Sequence, residues 1–381
     1  MTDHMPDDLS AAGRDVRPFT DELRADHAVV RNIAGEWVLL RHAEVVAAAS
    51  DHETFSSAVS RHLQVPNGLD GESHTAFREL LDGYFTDAEL APYVPLFEQV
   101  AADIVAGLPR GEVVDAVADI GALFAVRAQC GWLGWPAELE DRLLEWMAEN
   151  HAATRSGDRA WTADVAEDFD EIIRSVVQPR REASADAPDD LTTRLIGARV
   201  DGRELTEPEV VSILRNWTGG DLGSIALCVG VVMAHLAGSP DHLALLARSD
   251  DEQIDAIVDE ILRIDDPFVS NRRITTCPAR IGGAEIPEGA RIKLHWTSAN
   301  RDESVFGPLD SFDPQGHCEA NLVYGIGKHV CPGRPLATVQ LRALVHALLA
   351  GTDGVEAAPG EEPEREASPV GGYRRVPIIV R

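Results

Sequence analysis

Apolar residues recur at helical spacing along most of the chain. The stretches 90–108, 116–130, 139–152 and 163–177 each place aliphatic side chains three and four positions apart, the pattern of a helix with one buried face. The longest such stretch is 206–237. Thr206, with Glu209 three positions on, supplies the capping-box residues that fix where this helix begins. Residues 240–247, 251–264 and 336–350 continue the series, and 18–27 and 42–49 are shorter helices near the start. Elsewhere the spacing shortens. Val29, Val30, Trp37, Val38 and Leu39 form two runs split by Gly35, which predicts a hairpin. Ile281, Ile286 and residues 292–296 mark short late strands, and 370–380 ends the chain as another. Segment 57–71 carries Pro66, Asn67, Gly68 and Gly71 and is a loop; 178–188 is a polar linker; 306–322 is loop-rich. The pattern predicts a mainly α protein, with a small sheet built from the early hairpin and the late strands. No break in composition divides it, so 1–381 is expected to be one domain with 1–17 a mobile start.

Composition adds that 44% of residues are hydrophobic, enough for a sizeable core. Charge excludes more. Lysine and arginine number 34 against 64 acids, a net charge of −30. A nucleic-acid or anionic-membrane partner requires a basic face, so neither partner is expected. The first fifteen residues lack a basic start followed by an apolar run, and the longest uncharged apolar stretch, 222–234, is too short for a membrane span. Five cysteines, an odd number without a secretion signal, fit a reducing cytoplasm and no disulfide framework.

Candidate chemistry concentrates in Tyr324-Gly-Ile-Gly-Lys-His-Val-Cys-Pro-Gly-Arg-Pro-Leu-Ala337. Two glycines two apart allow a tight turn. Cys331 follows, then Pro332 near a helix start. A thiolate there faces the first amides of the helix, whose positive end stabilises it. Those residues suit a thiolate ligand to iron; on local physics alone a structural cysteine in a loop before a helix is the commoner case.

The segment resembles the heme-binding loop of the cytochrome P450 family, Phe-Gly-x-Gly-x-His-x-Cys-x-Gly-x-x-Leu-Ala. It agrees at Gly325, Gly327, His329, Cys331, Gly333, Leu336 and Ala337 and departs at Tyr324. The resemblance implies a large helical domain with a small β-sheet region, and heme b held between a long distal helix and the cysteine loop, with Cys331 as iron ligand. Further matches follow in family order. Glu260-Ile-Leu-Arg263 resembles the family's buried Glu-x-x-Arg pair, and Ala299-Asn-Arg-Asp302 is another landmark. Arg273, with Arg272 as the wrong neighbour, resembles the propionate-binding arginine. His74-Thr-Ala-Phe-Arg78 is similar to the His-x-x-x-Arg helix, although Asp-Gly-Glu-Ser replaces its usual lead-in. His74, Arg78, Arg273 and His329 are thus the expected partners of the two propionates, with Gly220, Tyr324, Gly325 and Gly333 lining the cofactor.

The distal helix departs from the family's Ala/Gly-Gly-x-Asp/Glu-Thr. It reads Thr218-Gly-Gly-Asp-Leu-Gly-Ser224, and two registers fit. One keeps Asp221 as the acid with Leu222 at the alcohol. The other, favoured by counting from both helix ends, puts Gly223 at the acid and Ser224 at the alcohol. Gly219, Gly220 and Gly223 each cost roughly 1 kcal/mol in a helix interior; close packing and a widened groove are both open explanations. Ser224 and Asp221 are the candidate catalytic residues.

The resemblance implies a monooxygenase using dioxygen, with electrons from a separate ferredoxin and ferredoxin reductase. Lys328, Arg334, Arg342 and Arg272 are candidates for a basic docking patch. Segments 57–73, 146–161, 216–224, 267–271 and 370–373 are expected around the substrate. Trp217, Phe268, Val269 and Tyr373 among them suit an apolar or aromatic small molecule. The altered distal helix keeps a peroxide-using or radical-coupling enzyme as an alternative, and a non-catalytic heme or recruitment protein as another.

Overall fold

The computed structural model describes residues 4–5, 15–366 and 370–381. Of the start expected to be mobile, residues 1–3 and 6–14 lie outside the described residues. The small sheet joins the early hairpin to the late strand at 291–295, as the pattern predicts, but the strands at Ile281 and Ile286 pair only with each other and the strand Pro377–Val380 pairs with Val113–Asp115 and Val355–Ala357 in a separate sheet. The strands of the small sheet are β1 (His4–Met5), β2 (Val29–Asn32), β3 (Trp37–Leu39), β4 (Phe55–Ser56), β5 (Ser270–Thr275) and β6 (Arg291–His295), in the order β1-β2-β3-β6-β5-β4. β2 and β3 are the antiparallel hairpin; β6 runs parallel to β3, with Ile292 opposite Trp37, and antiparallel to β5, with Ile292 opposite Arg273. Strand β5 was not foreseen. Ser-Asn-Arg-Arg has no apolar alternation, and it is pairing on both sides, with β6 and β4, that makes it a strand.

Among the described residues the α-helices of seven residues or more are α1 (Arg17–Asp26), α2 (His42–Ser50), α3 (Gly71–Asp82), α4 (Val94–Gly107), α5 (Leu123–Leu133), α6 (Glu140–Ser156), α7 (Arg159–Ala183), α8 (Glu207–Gly238), α9 (Pro240–Leu246), α10 (Asp251–Ile264) and α11 (Arg334–Gly351). A hydrophobic core extends from Val65 to Val380 among them. A second cluster, including Leu39, Ile292 and Leu322, lies by the sheet.

Helix α8 is apolar on nearly every side and therefore runs through the middle. Its predicted capping box is formed, with the Thr206 amide donating to Glu209 Oε2 at 2.8 Å. Val210, Leu214, Leu222, Val229 and Leu236 are buried, each contributing roughly 1.5–3 kcal/mol. Stretch 116–133 and α8 are long and apolar enough to cross a bilayer, but most of each is buried inside the protein. Gly219 answers one question left by the sequence. A Cβ there would stand 3.0 Å from the Phe169 ring and 3.3 Å from Trp146, so its missing side chain lets the stacked pair, 3.9 Å between centroids, press α6 and α7 onto α8.

The linker expected at 178–188 is in its first half helix, because α7 continues through Pro179 to Ala183. A proline inside a helix removes one backbone hydrogen bond. Side-chain contacts of the next residue, one within the helix and two beyond it, offset the loss. Arg180 donates to the Val176 carbonyl at 2.7 Å, to the Gly134 carbonyl at 2.6 Å and to Asp190 Oδ2 at 2.6 Å.

Candidate active site

The cysteine loop crosses from the sheet to the start of α11. Gly325 and Gly327 have φ of +71° and +75°, a conformation that favours glycine. A Cβ at Gly327 would meet the Ala49 carbonyl oxygen at 2.9 Å, so α2 closes the loop from behind. The Cys331 amide donates to the Tyr324 carbonyl at 2.9 Å. Burial pushes the Cys331 thiol up to about 11, and the nearby Asp221 carboxyl adds to the rise; the amides of Gly333 and Arg334 act the other way. Those amides are the thiolate-stabilising feature that the sequence implied, and a bound cation would tip the balance to the thiolate.

Cys331 has exposed surface and yet is strongly desolvated. Both hold because its free surface faces an enclosed space, not bulk water. Gly220, in the middle of α8, is also exposed, with nothing within 4 Å of a Cβ position. Asp221 Oδ1 and Cys331 Sγ each lie 3.7 Å from where a Gly333 Cβ would stand. Helix α8 and the cysteine loop are therefore facing walls. Asp221 is raised to about 7 by burial, against a lowering contact with the Gln129 side chain. Gln129 donates to the Trp217 carbonyl at 2.5 Å, and its Oε1 is left without a partner. Ser224 is half-buried and makes no hydrogen bond among the described residues.

Below this space sits a cluster of basic groups. His74, fully buried on α3, has both ring nitrogens unpartnered. Its ring lies 4.2 Å from that of His329. Arg273 is buried on β5 while Arg272 is exposed; among the described residues the side chain of Arg273 donates to the Arg272 carbonyl alone, at 2.8 Å. Burial lowers Arg273 and holds His74 and His329 at about 4. His329 Nε2 meets Asp70 Oδ1 at 3.3 Å. Arg78 donates to the Val330 carbonyl at 2.7 Å and to Asp82 at 2.8 Å, so part of its guanidinium holds the cysteine loop itself. Asp70 acts on Arg273 only from a distance, and a buried histidine without partners near a buried arginine that no carboxylate contacts is costly unless a further anion joins them. These residues fit heme b, whose two carboxylates would complete the cluster beneath a thiolate-lined space.

The Glu260–Arg263 pair is a buried brace. Arg263 donates to both carboxylate oxygens at 2.7 and 2.9 Å, and further to the Asn300 and Ser311 carbonyls at 2.6 and 2.7 Å. His317 Nδ1 meets Glu260 Oε1 at 2.7 Å. Tyr324, in place of phenylalanine, is half-buried under the Arg334 guanidinium, 5.0 Å over its ring. Arg334 also pairs with Asp259 at 3.0 Å and Arg342 with Asp255 at 2.7 Å. The basic patch read from the sequence is therefore partly neutralised by α10.

Of the expected substrate-lining residues, the structure brings three together. The turn at Gly371 and Gly372 rests on Pro267, Val269, Leu227 and Val231, which sets Tyr373 beside Phe268 and Val269. The Tyr373 hydroxyl donates to Asp265 at 2.9 Å. Trp217 is different: it is 5% exposed and packs with Tyr84, Phe85 and Trp132, centroids 5.2–5.5 Å apart, a core position and not a lining one. The reason is that aromatic side chains from two other segments, 83–85 and α5, bury it. Gln129 on α5 escaped the sequence reading, and His151 on α6 entered it only as an unnamed member of segment 146–161. Neither stands in a motif; only the packing of those helices against α8 brings them in.

Comparison with known proteins agrees with this geometry. The family model described as Cytochrome P450 matches residues 158–365. Cyclomarin C epoxidase CymV of Salinispora arenicola is 30% identical over 356 residues, 88% of each chain. Erythromycin C-12 hydroxylase of Saccharopolyspora erythraea is 27% identical over 339 residues, 86% of this chain and 85% of that one. A solved structure of a mutant of P450 EryK in complex with erythromycin B superposes with a TM-score of 0.85 at 26% identity, over 95% of each chain.

Proposed function

This chain belongs to the cytochrome P450 family, and from that premise we propose how its own residues carry the chemistry. It is a heme-thiolate monooxygenase that acts on a small organic substrate with dioxygen and a redox partner. Heme b, when bound, supplies activation of dioxygen and insertion of one of its atoms. The observation that carries the assignment of roles is Cys331, desolvated yet open to the space walled by α8.

In this reading Cys331 ligates the iron, with the Gly333 and Arg334 amides holding its negative charge. His74, Arg78, Arg273 and His329 hold the propionates, a role supported by the unpartnered nitrogens of His74. Glu260 and Arg263 keep the cysteine side rigid. Ser224 donates a hydrogen bond into the space, and Asp221, near neutrality by burial, exchanges protons there. Phe268, Val269 and Tyr373 line the substrate side, which suits an apolar or aromatic small molecule; the two named relatives act, by their names, on cyclomarin C and erythromycin. Electrons come from a separate ferredoxin and ferredoxin reductase that dock on the Cys331 side. Lys328 and Arg334 supply the cations there, Arg334 staying half-exposed although Asp259 pairs with it, whereas Arg342, more buried and held by Asp251 and Asp255, does not. We read 1–381 as one domain, supported by the core shared from Val65 to Val380, and as working in the cytoplasm, which five free cysteines fit.

The test is the ferrous–CO spectrum of the parent and of Cys331→Ala. The parent shows the red-shifted Soret band of thiolate ligation, and the variant loses it. A variant that keeps the band overturns the ligand assignment. Styrene turnover with a surrogate ferredoxin and reductase, compared with hydrogen peroxide, decides the reaction type. Turnover with peroxide alone would replace the monooxygenase reading by the peroxide-using one that the altered distal helix favours.

A further inference from the structure

Helix α8 carries glycine at the position where one register calls for an acid, Gly223, next to Ser224. A residue of the neighbouring helix stands in the gap. His151 on α6 brings Nε2 to 3.5 Å from where a Gly223 Cβ would be, ordinary contact distance. The residue is half-buried, and its ring makes no hydrogen bond among the described residues. Its backbone is fixed by the stacked Trp146 and Phe169, which clamp α6 and α7 onto Gly219 one turn earlier in α8. The charged groups that face it are Arg155 and Glu366, and these bind each other at 3.0 Å. Burial lowers the imidazole, Glu366 raises it and Arg155 lowers it. The ring is therefore neutral near pH 7, with one donor and one acceptor nitrogen.

We propose that His151 is the proton-relaying partner of Ser224, doing from α6 what a carboxylate at position 223 would do from α8. This rests on the reading of Ser224 given above. A water on the outer side gives a proton to the acceptor nitrogen of His151 while the opposite nitrogen releases its own toward Ser224. The serine hydroxyl accepts it and passes its original proton into the enclosed space. One proton enters and one leaves, and tautomer exchange restores the ring. His151 acts through Ser224 and is a positioning residue.

The test uses the heme-loaded protein with a surrogate ferredoxin and reductase, and styrene as an apolar aromatic probe. His151→Ala is expected to leave the ferrous–CO band and the styrene-induced Soret shift unchanged. Product formed per reduced nicotinamide should fall on the order of tenfold or more, as loss of positioned proton transfer does, with a larger solvent isotope effect. The decisive variant is His151→Ala combined with Gly223→Asp, which returns a carboxylate to α8 in the volume the imidazole leaves. It should recover most of the lost coupling. A readout independent of turnover comes from ring ¹⁵N spectra of histidine-labelled heme-free protein. The His151 ring, identified by its loss in His151→Ala, should titrate at higher pH in Gly223→Asp than in the parent. Coupling in His151→Ala equal to the parent overturns the proposal. So does uncoupling that Gly223→Asp fails to repair while styrene binding persists, since His151 would then serve packing alone. A parent without the red-shifted CO band would instead overturn the heme-thiolate reading on which this one rests.

Discussion

Replacing Gly327 by alanine tests whether the cysteine loop is held from behind by α2. Two costs add at this position. The backbone has φ of +75°, where a side chain costs roughly 1–2 kcal/mol. The new Cβ would also lie 2.9 Å from the Ala49 carbonyl oxygen and 3.3 Å from the Ser50 Cα. These are backbone atoms of a helix pinned at its other end, where the His42 amide donates to Asp302 at 2.9 Å and its ring meets the Ala320 carbonyl at 2.8 Å. The helix cannot swing aside as a flexible side chain would, so overpacking adds roughly 1–3 kcal/mol. Gly325 is the control. Its φ of +71° carries the same backbone cost, but the nearest atom to its Cβ position is the His329 carbonyl oxygen at 4.0 Å. Gly327→Ala should therefore exceed Gly325→Ala by about 1–3 kcal/mol. The same displacement moves Cys331. Heme transfer to excess apomyoglobin should be faster in Gly327→Ala than in Gly325→Ala by roughly 5–150-fold, if the whole difference is felt at the ligand. Urea unfolding followed by tryptophan fluorescence gives the stability side. Equal losses in the two variants, or a greater loss at Gly325, would refute the idea that contact with α2 sets the loop.

Arg273→Ala and His74→Ala should each lower heme retention, measured as Soret absorbance per protein after gel filtration, because a propionate is left unpaired. Full loading in both would remove these residues from the cofactor site. Ser224→Ala should bind styrene as the parent does yet release more hydrogen peroxide per nicotinamide oxidised; unchanged coupling would assign α8 a purely spatial role. At the start of α8, the Arg203 contact holds Glu209 at about 2, below its ordinary 4.5, against burial and with help from Thr206. A depressed carboxyl stabilises above its unfolded value, so this contribution is complete above pH 4.5 and lost as pH falls toward 2. Because Arg203 is half-exposed, Glu209→Gln should cost only about 1 kcal/mol at pH 7, with the difference closing below pH 4.5 in urea melts.

What was legible in the sequence had local causes. Thr206 and Glu209 announce the start of α8 because a capping box is a four-residue device, and the cysteine loop is legible because its turn, ligand and helix start are contiguous. Arg273 could be distinguished from Arg272 by resemblance, and the pleat of β5 supplies the reason, turning one inward and the other out. What was not legible depends on neighbours distant in sequence. Helix α7 continues through Pro179 only because Arg180 reaches Gly134 and Asp190. Trp217 sits on α8 among glycines, but the side it faces is set by Phe85 and Trp132. His151 and Gln129 gain their meaning from where α6 and α5 cross α8, which no spacing within either helix encodes.

The central sheet also sets an order of events during synthesis. The β2–β3 hairpin emerges early, but its neighbour β6 is encoded far downstream, with Ile292 opposite Trp37. At roughly 5–20 residues per second, the hairpin waits on the order of 10–50 s for its partner. During that interval the faces of Val38 and Leu39, fully buried in the finished protein, have nothing from β6 to cover them. β5, the strand that carries Arg273, emerges just before β6, and the cysteine loop follows. A nascent chain thus has no complete seat for heme until almost all of it has left the ribosome. A stall or truncation before the last strands would yield a colourless, aggregation-prone chain and not a partially loaded one.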